Sequence, residues 1–184
     1  MFGKLFGKKK EVEHRDSMSM TIRDLRIGDF VDYDFKSWEI KEHYEYDWGN
    51  QFFTQEFKLD SGDDAVFVHL EDDDELEIIV SRKAKIFTID ELLVDHIMEH
   101  DTPMKRLTYQ DKTYFLKNES CAHFHDIGDD NEEWSELVAW EYRDEQEELV
   151  ISVERWGERD FEAATGKVAQ EFEFSNFIPR QPES

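Results

Sequence analysis

The sequence predicts a mostly β fold of the α+β kind, built as two pseudo-repeated antiparallel β-meander or half-barrel units with one connecting helix. Three observations carry that reading: short segments alternating apolar and polar residues, Gly and Asx clusters between them, and a strand pattern that recurs 76 to 83 residues further along. The expected organisation is a basic leader and linker over 1–20, a first β unit over 21–86, a connecting helix over 87–103 and a second β unit over 104–184.

Taken in order, Thr21 to Asp29 reads as a capped turn leading into a strand, with Thr21 and Asp24 in a capping-box-like arrangement. Phe30 to Tyr33, Ser37 to His43, Phe52 to Leu59, Ala65 to Leu70 and Leu76 to Val80 then read as strands. Asp47-Trp48-Gly49-Asn50 and Asp60-Ser61-Gly62-Asp63 supply the residues that tight turns need. Thr88 and Glu91 form a T-x-x-E cap ahead of Leu92, Leu93, His96, Ile97 and His100, which predicts one helix ending before Pro103. After it, Tyr33, Trp38 and Ile40 align with Tyr109, Tyr114 and Leu116 at an offset of 76. Phe57, Leu59, Val68 and Leu70 align with Trp140, Tyr142, Ile151 and Val153 at an offset of 83, with the extra residues falling in a loop around Ile127 to Glu133.

Charge narrows the function classes. The formal net charge is −24, from 22 Lys and Arg against 46 Asp and Glu, which repels nucleic acid phosphates and argues against a nucleic acid partner. Disordered acidic chains are poor in aromatics, whereas this chain holds 15 Phe, 6 Tyr and 5 Trp, enough for a core. The single Cys121 suits a reducing compartment. With no secretion signal or membrane span in the sequence, the expected location is cytoplasmic, peripheral to the inner membrane face. That last expectation comes from the leader. Phe2, Leu5 and Phe6 fall at helical spacing among Lys4, Lys8, Lys9 and Lys10, a pattern that can rest on an anionic membrane or, equally, fold back onto the acidic body.

The Gly28-Asp29-Phe30-Val31 opening, the Trp38-Glu39-Ile40 strand, the Glu56-Phe57-Lys58-Leu59 strand and the acidic hairpin to Ala65–Leu70 resemble the bacterial family described as domain of unknown function 4178. Trp134, Trp140-Glu141-Tyr142 and Leu149 to Val153 extend the resemblance through a second, degenerate copy, so that it covers Leu25 to Ile178. It implies a cytoplasmic accessory role in a membrane-stress system and carries no catalytic residue across.

Three constellations have chemical meaning. Cys121, His123 and His125 alternate, which on a strand places them on one face where zinc can be held, with Asp126 as a fourth ligand; the alternative is a set of surface polar residues. Tyr44, Tyr46 and Trp48 alternate before a turn and read either as core or as aromatic anchors of a binding surface. Beside so many carboxylates, that surface favours a basic partner, a polyamine or a Lys/Arg-rich protein segment. Enzyme signatures are lacking: there is no Gly-rich phosphate loop and no serine elbow. The expectation is therefore a non-enzymatic binding or adaptor protein without a cofactor that recognises a protein partner. The alternative is a small metal-dependent hydrolase centred on Cys121, His123 and His125.

Overall fold

The computed structural model describes residues 15–129 and 133–181. The chain is mostly β and antiparallel, as the alternation demands. The first half runs β1 (Phe30–Tyr33), β2 (Lys36–Asp47), β3 (Phe53–Asp60), β4 (Ala65–Asp72) and β5 (Leu76–Ala84). Two short helices follow, α1 (Ile86–Ile89) and α2 (Leu93–His100). The second half then repeats the strand order with β6 (Arg106–Tyr109), β7 (Lys112–Asp126), β8 (Ser135–Arg143), β9 (Leu149–Arg155) and β10 (Phe161–Ala169), and β11 (Phe174–Ile178) ends the sheet.

These strands make one sheet in the order β11-β1-β2-β3-β4-β5-β10-β9-β8-β7-β6, and a further pairing of β2 with β7 closes it. Eight strands, β2 to β5 and β7 to β10, thus form a hydrogen-bonded ring. The two meanders are joined along two seams. At one, Ser81 on β5 faces Gly166 on β10, and at the other Asp47 on β2 faces His123 on β7. Two local features recur in both halves. Tight loops with two successive positive φ values occur at Asp34 and Phe35 and again at Gln110 and Asp111. The register shifts between Ile40 and Glu42 on β2 and between Leu116 and Asn118 on β7, the same places at an offset of 76.

Alternation sorts the side chains into compartments. On β4, Val66, Val68 and Leu70 face outward from the ring into a core that includes Trp38, Phe57 and Leu59 and is capped by Ile22, Leu25 and Phe174. The second half curls over its own core of Trp140, Tyr142, Ile151 and Val153, which the helices cover with Ile86, Ile89, Leu93 and Ile97. The other face of β4, with Phe67, His69 and Glu71, turns into the ring.

The Gly28-Asp29 pair has a structural task. Asp29 is fully buried, and its carboxylate accepts from Arg15 Nη1 at 2.7 Å, from the Arg26 amide and from the Arg180 amide, tying both ends of the described chain to β1. Thr21 and Asp24 form the expected cap, on a single 3₁₀ turn, with the Asp24 carboxylate accepting from the Thr21 amide and hydroxyl. The predicted helix is corrected in two respects. It is broken in two, and Thr88 lies inside α1, where its hydroxyl donates to the Lys85 carbonyl instead of capping. The turn before α2 is held by Asp90, whose carboxylate accepts from the Leu92 amide.

Candidate functional site

The ring encloses a cavity of about 310 Å³ to which all eight of its strands contribute. That volume falls at the lower end of the roughly 300–1,000 Å³ of small-molecule pockets. Its two sides differ in chemistry. The first half supplies large and ionisable groups: Tyr46 from β2, Thr54 and Glu56 from β3, His69 and Glu71 from β4. The second half supplies small ones at Ser120 from β7, Ala139 from β8, Ser152 from β9, and Ala164 and Gly166 from β10, beside the larger Asn118, Trp140, Glu141, Val150 and Glu154. At an offset of 83, Glu56 stands opposite in role to Ala139, and His69 to Ser152. The small side chains at these positions leave space.

Gly166 also sets how closely the seam can approach. A Cβ there would meet the Val80 carbonyl oxygen at 2.4 Å and Ser81 Cβ at 2.8 Å, so only glycine lets β5 and β10 pair at this point.

Most charges facing the ring interior are matched. Arg143 forms two hydrogen bonds to Glu77, at 2.8 and 2.6 Å, and a third to Glu141 at 2.7 Å. Lys83 pairs with Glu162. His69 Nδ1 lies 3.7 Å from Glu56 Oε2, and Tyr46 Oη donates to Glu56 Oε1 at 3.4 Å. Burial alone would lower the His69 imidazolium, but the Glu56 carboxylate outweighs it and the net shift is upward. Burial, and then the charge of Glu56, holds the Tyr46 hydroxyl well above its ordinary range. Glu71 and Glu154 differ from the rest, since neither accepts a hydrogen bond among the described residues. Burial, followed by the charge of Glu77, raises Glu71. Burial and the neighbouring charge of Glu56 push the Glu154 carboxyl up to about 7.

The aromatic set is turned inward. Tyr46, read as either core or a surface anchor, is 3% exposed; its ring stacks on Trp48 at 5.7 Å and meets the edge of Phe124 at 5.3 Å. Tyr44 packs on Phe124, and the Trp48 indole N–H donates to Thr54 Oγ1 at 2.8 Å. With Phe52, Tyr46 and Trp48 wall part of the cavity. The reason is the β2–β7 seam, which the sequence does not announce and which covers the face these residues share.

Cys121, His123 and His125 do share a face of β7, but it is the outer one. Cys121 is exposed, His123 Nε2 sits 3.7 Å from Glu136, and His125 stacks on Trp134. Asp126 is engaged by the Gly128 amide. Alternate residues of a strand are spaced roughly 6.6 Å apart, too far for one ion without a partner element to gather them. Among the described residues, no group of three or more His, Cys, Asp or Glu is placed to hold a metal ion. The proposed membrane-contact residues Phe2, Lys4, Leu5, Phe6, Lys8, Lys9 and Lys10 lie outside the described residues. Among those described, no helix is long and apolar enough to cross a membrane.

The cavity residues Glu56, His69, Glu71, Ser152 and Glu154 were not legible as a site. On each strand they occupy the polar positions, which alternation alone assigns to water. The available signal was the run of small residues Ala163, Ala164 and Gly166 where a bulky strand face is expected.

Fold and site together define a closed antiparallel β ring that carries a polar, partly charged cavity between two apolar cores. The chain belongs to the family described as domain of unknown function (DUF4178), which matches residues 26–171. It is also similar to an uncharacterized protein of Aquifex aeolicus (strain VF5), 28% identical over 185 residues that span 96% of each chain. No solved structure matches the chain.

Proposed function

We propose that this protein is a non-catalytic binding module whose ring cavity receives a small molecule. The observation that carries the reading is the cavity itself. A protein interior ordinarily closes to near-crystalline density, and here all eight ring strands leave about 310 Å³ lined by groups whose burial costs free energy unless something pairs with them. An adaptor that used only its outer surface has no need of such a space. A metal-dependent hydrolase at Cys121, His123 and His125 gains no support from their positions on the outer face.

A ligand that binds only the folded state raises its stability, by about 2.7 kcal/mol at a hundred times its Kd. In a thermal-shift screen of metabolite-sized compounds against the full chain, at least one chemical class is expected to raise Tm. Ala139→Phe, which fills the small-residue side of the cavity, is expected to abolish that rise. If no class raises Tm, or if the filled variant responds as the native chain does, the cavity is not a binding site.

A further inference from the structure

The charges around the cavity do not balance. Of the groups that face the ring interior, Arg143 is occupied by Glu77 and Glu141, Lys83 by Glu162, and His69 by Glu56. Among the described residues, Glu71 and Glu154 line the cavity without a hydrogen-bonded cation or donor. Glu154 is half-buried and Glu71 exposed at its edge, so Glu154 is the enclosed one of the two. An enclosed carboxylate in that position is an acceptor for a donor that the protein does not supply. The lining also includes apolar and aromatic surface, with Tyr46, Trp48 and Phe52 on one side and Ala139, Val150 and Ala164 on the other, beside neutral polar groups such as Thr54, Asn118 and Ser152.

Resting on the binding-module reading, we infer that the ligand is a small organic cation. It is a protonated amine of about ten non-hydrogen atoms, the amount of matter that replaces the water such a volume holds. Its ammonium group donates to Glu154, and its apolar body lies against Tyr46, Trp48 and the Ala139–Ala164 side. Anions are repelled by Glu154, and a neutral ligand leaves that carboxylate unpaired, which is the stronger part of the discrimination. The aromatic rings add cation–π attraction.

Affinity also depends on pH. Glu154 is faced by Tyr46 on β2, Glu56 on β3, His69 on β4, Lys83 on β5 and Glu162 on β10. Raising pH from 6 to 8 ionises Glu154, which makes the cavity more negative while the amine stays protonated.

The test is isothermal titration of the full chain at pH 8 and about 0.15 M salt, where attraction to the acidic outer surface is screened. The probes are 2-phenylethylamine, 3-phenylpropionate and 3-phenylpropanol, which are close in size and differ in charge. The amine is expected to bind with one site per chain, at least tenfold more tightly than either other probe, and more weakly at pH 6. Glu154→Gln is expected to weaken it at least tenfold with Tm at or above that of the native chain, and Ala164→Phe to remove the site by filling it. The inference is overturned if the anion or the alcohol binds as well as the amine, an outcome that leaves the binding-module reading standing. It is equally overturned if none of the probes binds, or if the amine binds both variants as it binds the native chain, which marks outer-surface attraction.

Discussion

Glu154 shows how much of the molecule's character rests on single side chains. In the unfolded chain it ionises near the ordinary carboxylate value of 4.5; in the folded ring it does so at about 7. Its folded-state pKa is raised, so below about pH 4.5 it is protonated in both states and does not affect stability. Between about 4.5 and 7 the unfolded state loses its proton first, and native stability falls as pH rises. His69, raised by Glu56 and to a lesser extent by Glu154, favours folding most below its unfolded value near 6.5, and keeps the larger Glu56 part of that contribution in a Glu154 variant. Glu154→Gln is therefore expected to match the native Tm near pH 4.5 and to exceed it increasingly up to pH 8. Parallel Tm profiles across that range in differential scanning calorimetry would show that Glu154 titrates normally and is not enclosed. A residue whose replacement stabilises the fold is a residue kept for something other than the fold. Asp29 is the contrast: fully buried, but surrounded by the Arg15 guanidinium and two amides. The sequence marks both simply as acids within strand-like text. It did single out Gly28-Asp29 as a motif, while nothing local separates Glu154 from the carboxylates of the solvated hairpins.

Elements were more legible than the site. The first-half strands stand where alternation and turn residues put them, though β2 and β5 run several residues further than their apolar pattern, because pairing partners continue past the core. The helix was found and its cap misassigned, since T-x-x-E at Thr88 competes with a chain still turning out of β5. The seams were not legible at all. A strand's text states its two faces but not its neighbour, and the joining of β5 to β10 and β2 to β7 is a pairing between residues far apart in sequence. Gly166 is the one local clue to a seam. Gly166→Val is expected to destabilise by about 1–3 kcal/mol, the range for overpacking a filled interior, because its side chain must displace backbone at Val80. The loss should appear in a urea transition. It should also appear as faster hydrogen exchange at amides along β5 and β10, with β6 and β11 little changed. Uniform loss of protection throughout the sheet would mean that the seam is not a local element.

At the scale of the whole molecule, two apolar cores on the outside of a ring raise the question of whether the halves fold separately. Each has its own buried tryptophan, Trp38 at 1% exposure in the first and Trp140 at 2% in the second. Each core is large enough to suggest autonomy, but the boundary between the halves is made of backbone hydrogen bonds rather than a wet interface. Seven register pairs join β5 to β10 and four join β2 to β7. If one half unfolded alone, both seams would open and leave rows of unpaired amides and carbonyls next to Glu56, Glu71 and Glu154, an arrangement that costs more than either core's independence gains. The ring is thus expected to unfold as one cooperative unit. Two variants test this, one keeping only Trp38 and the other only Trp140, with the remaining tryptophans replaced by Phe. Their fluorescence transitions in urea should share a midpoint with each other and with the loss of β circular dichroism. Two separated midpoints would show that the halves are independent domains. The cavity between them would then open and close with their docking, and the charges it contains would be governed by that equilibrium rather than by a fixed ring.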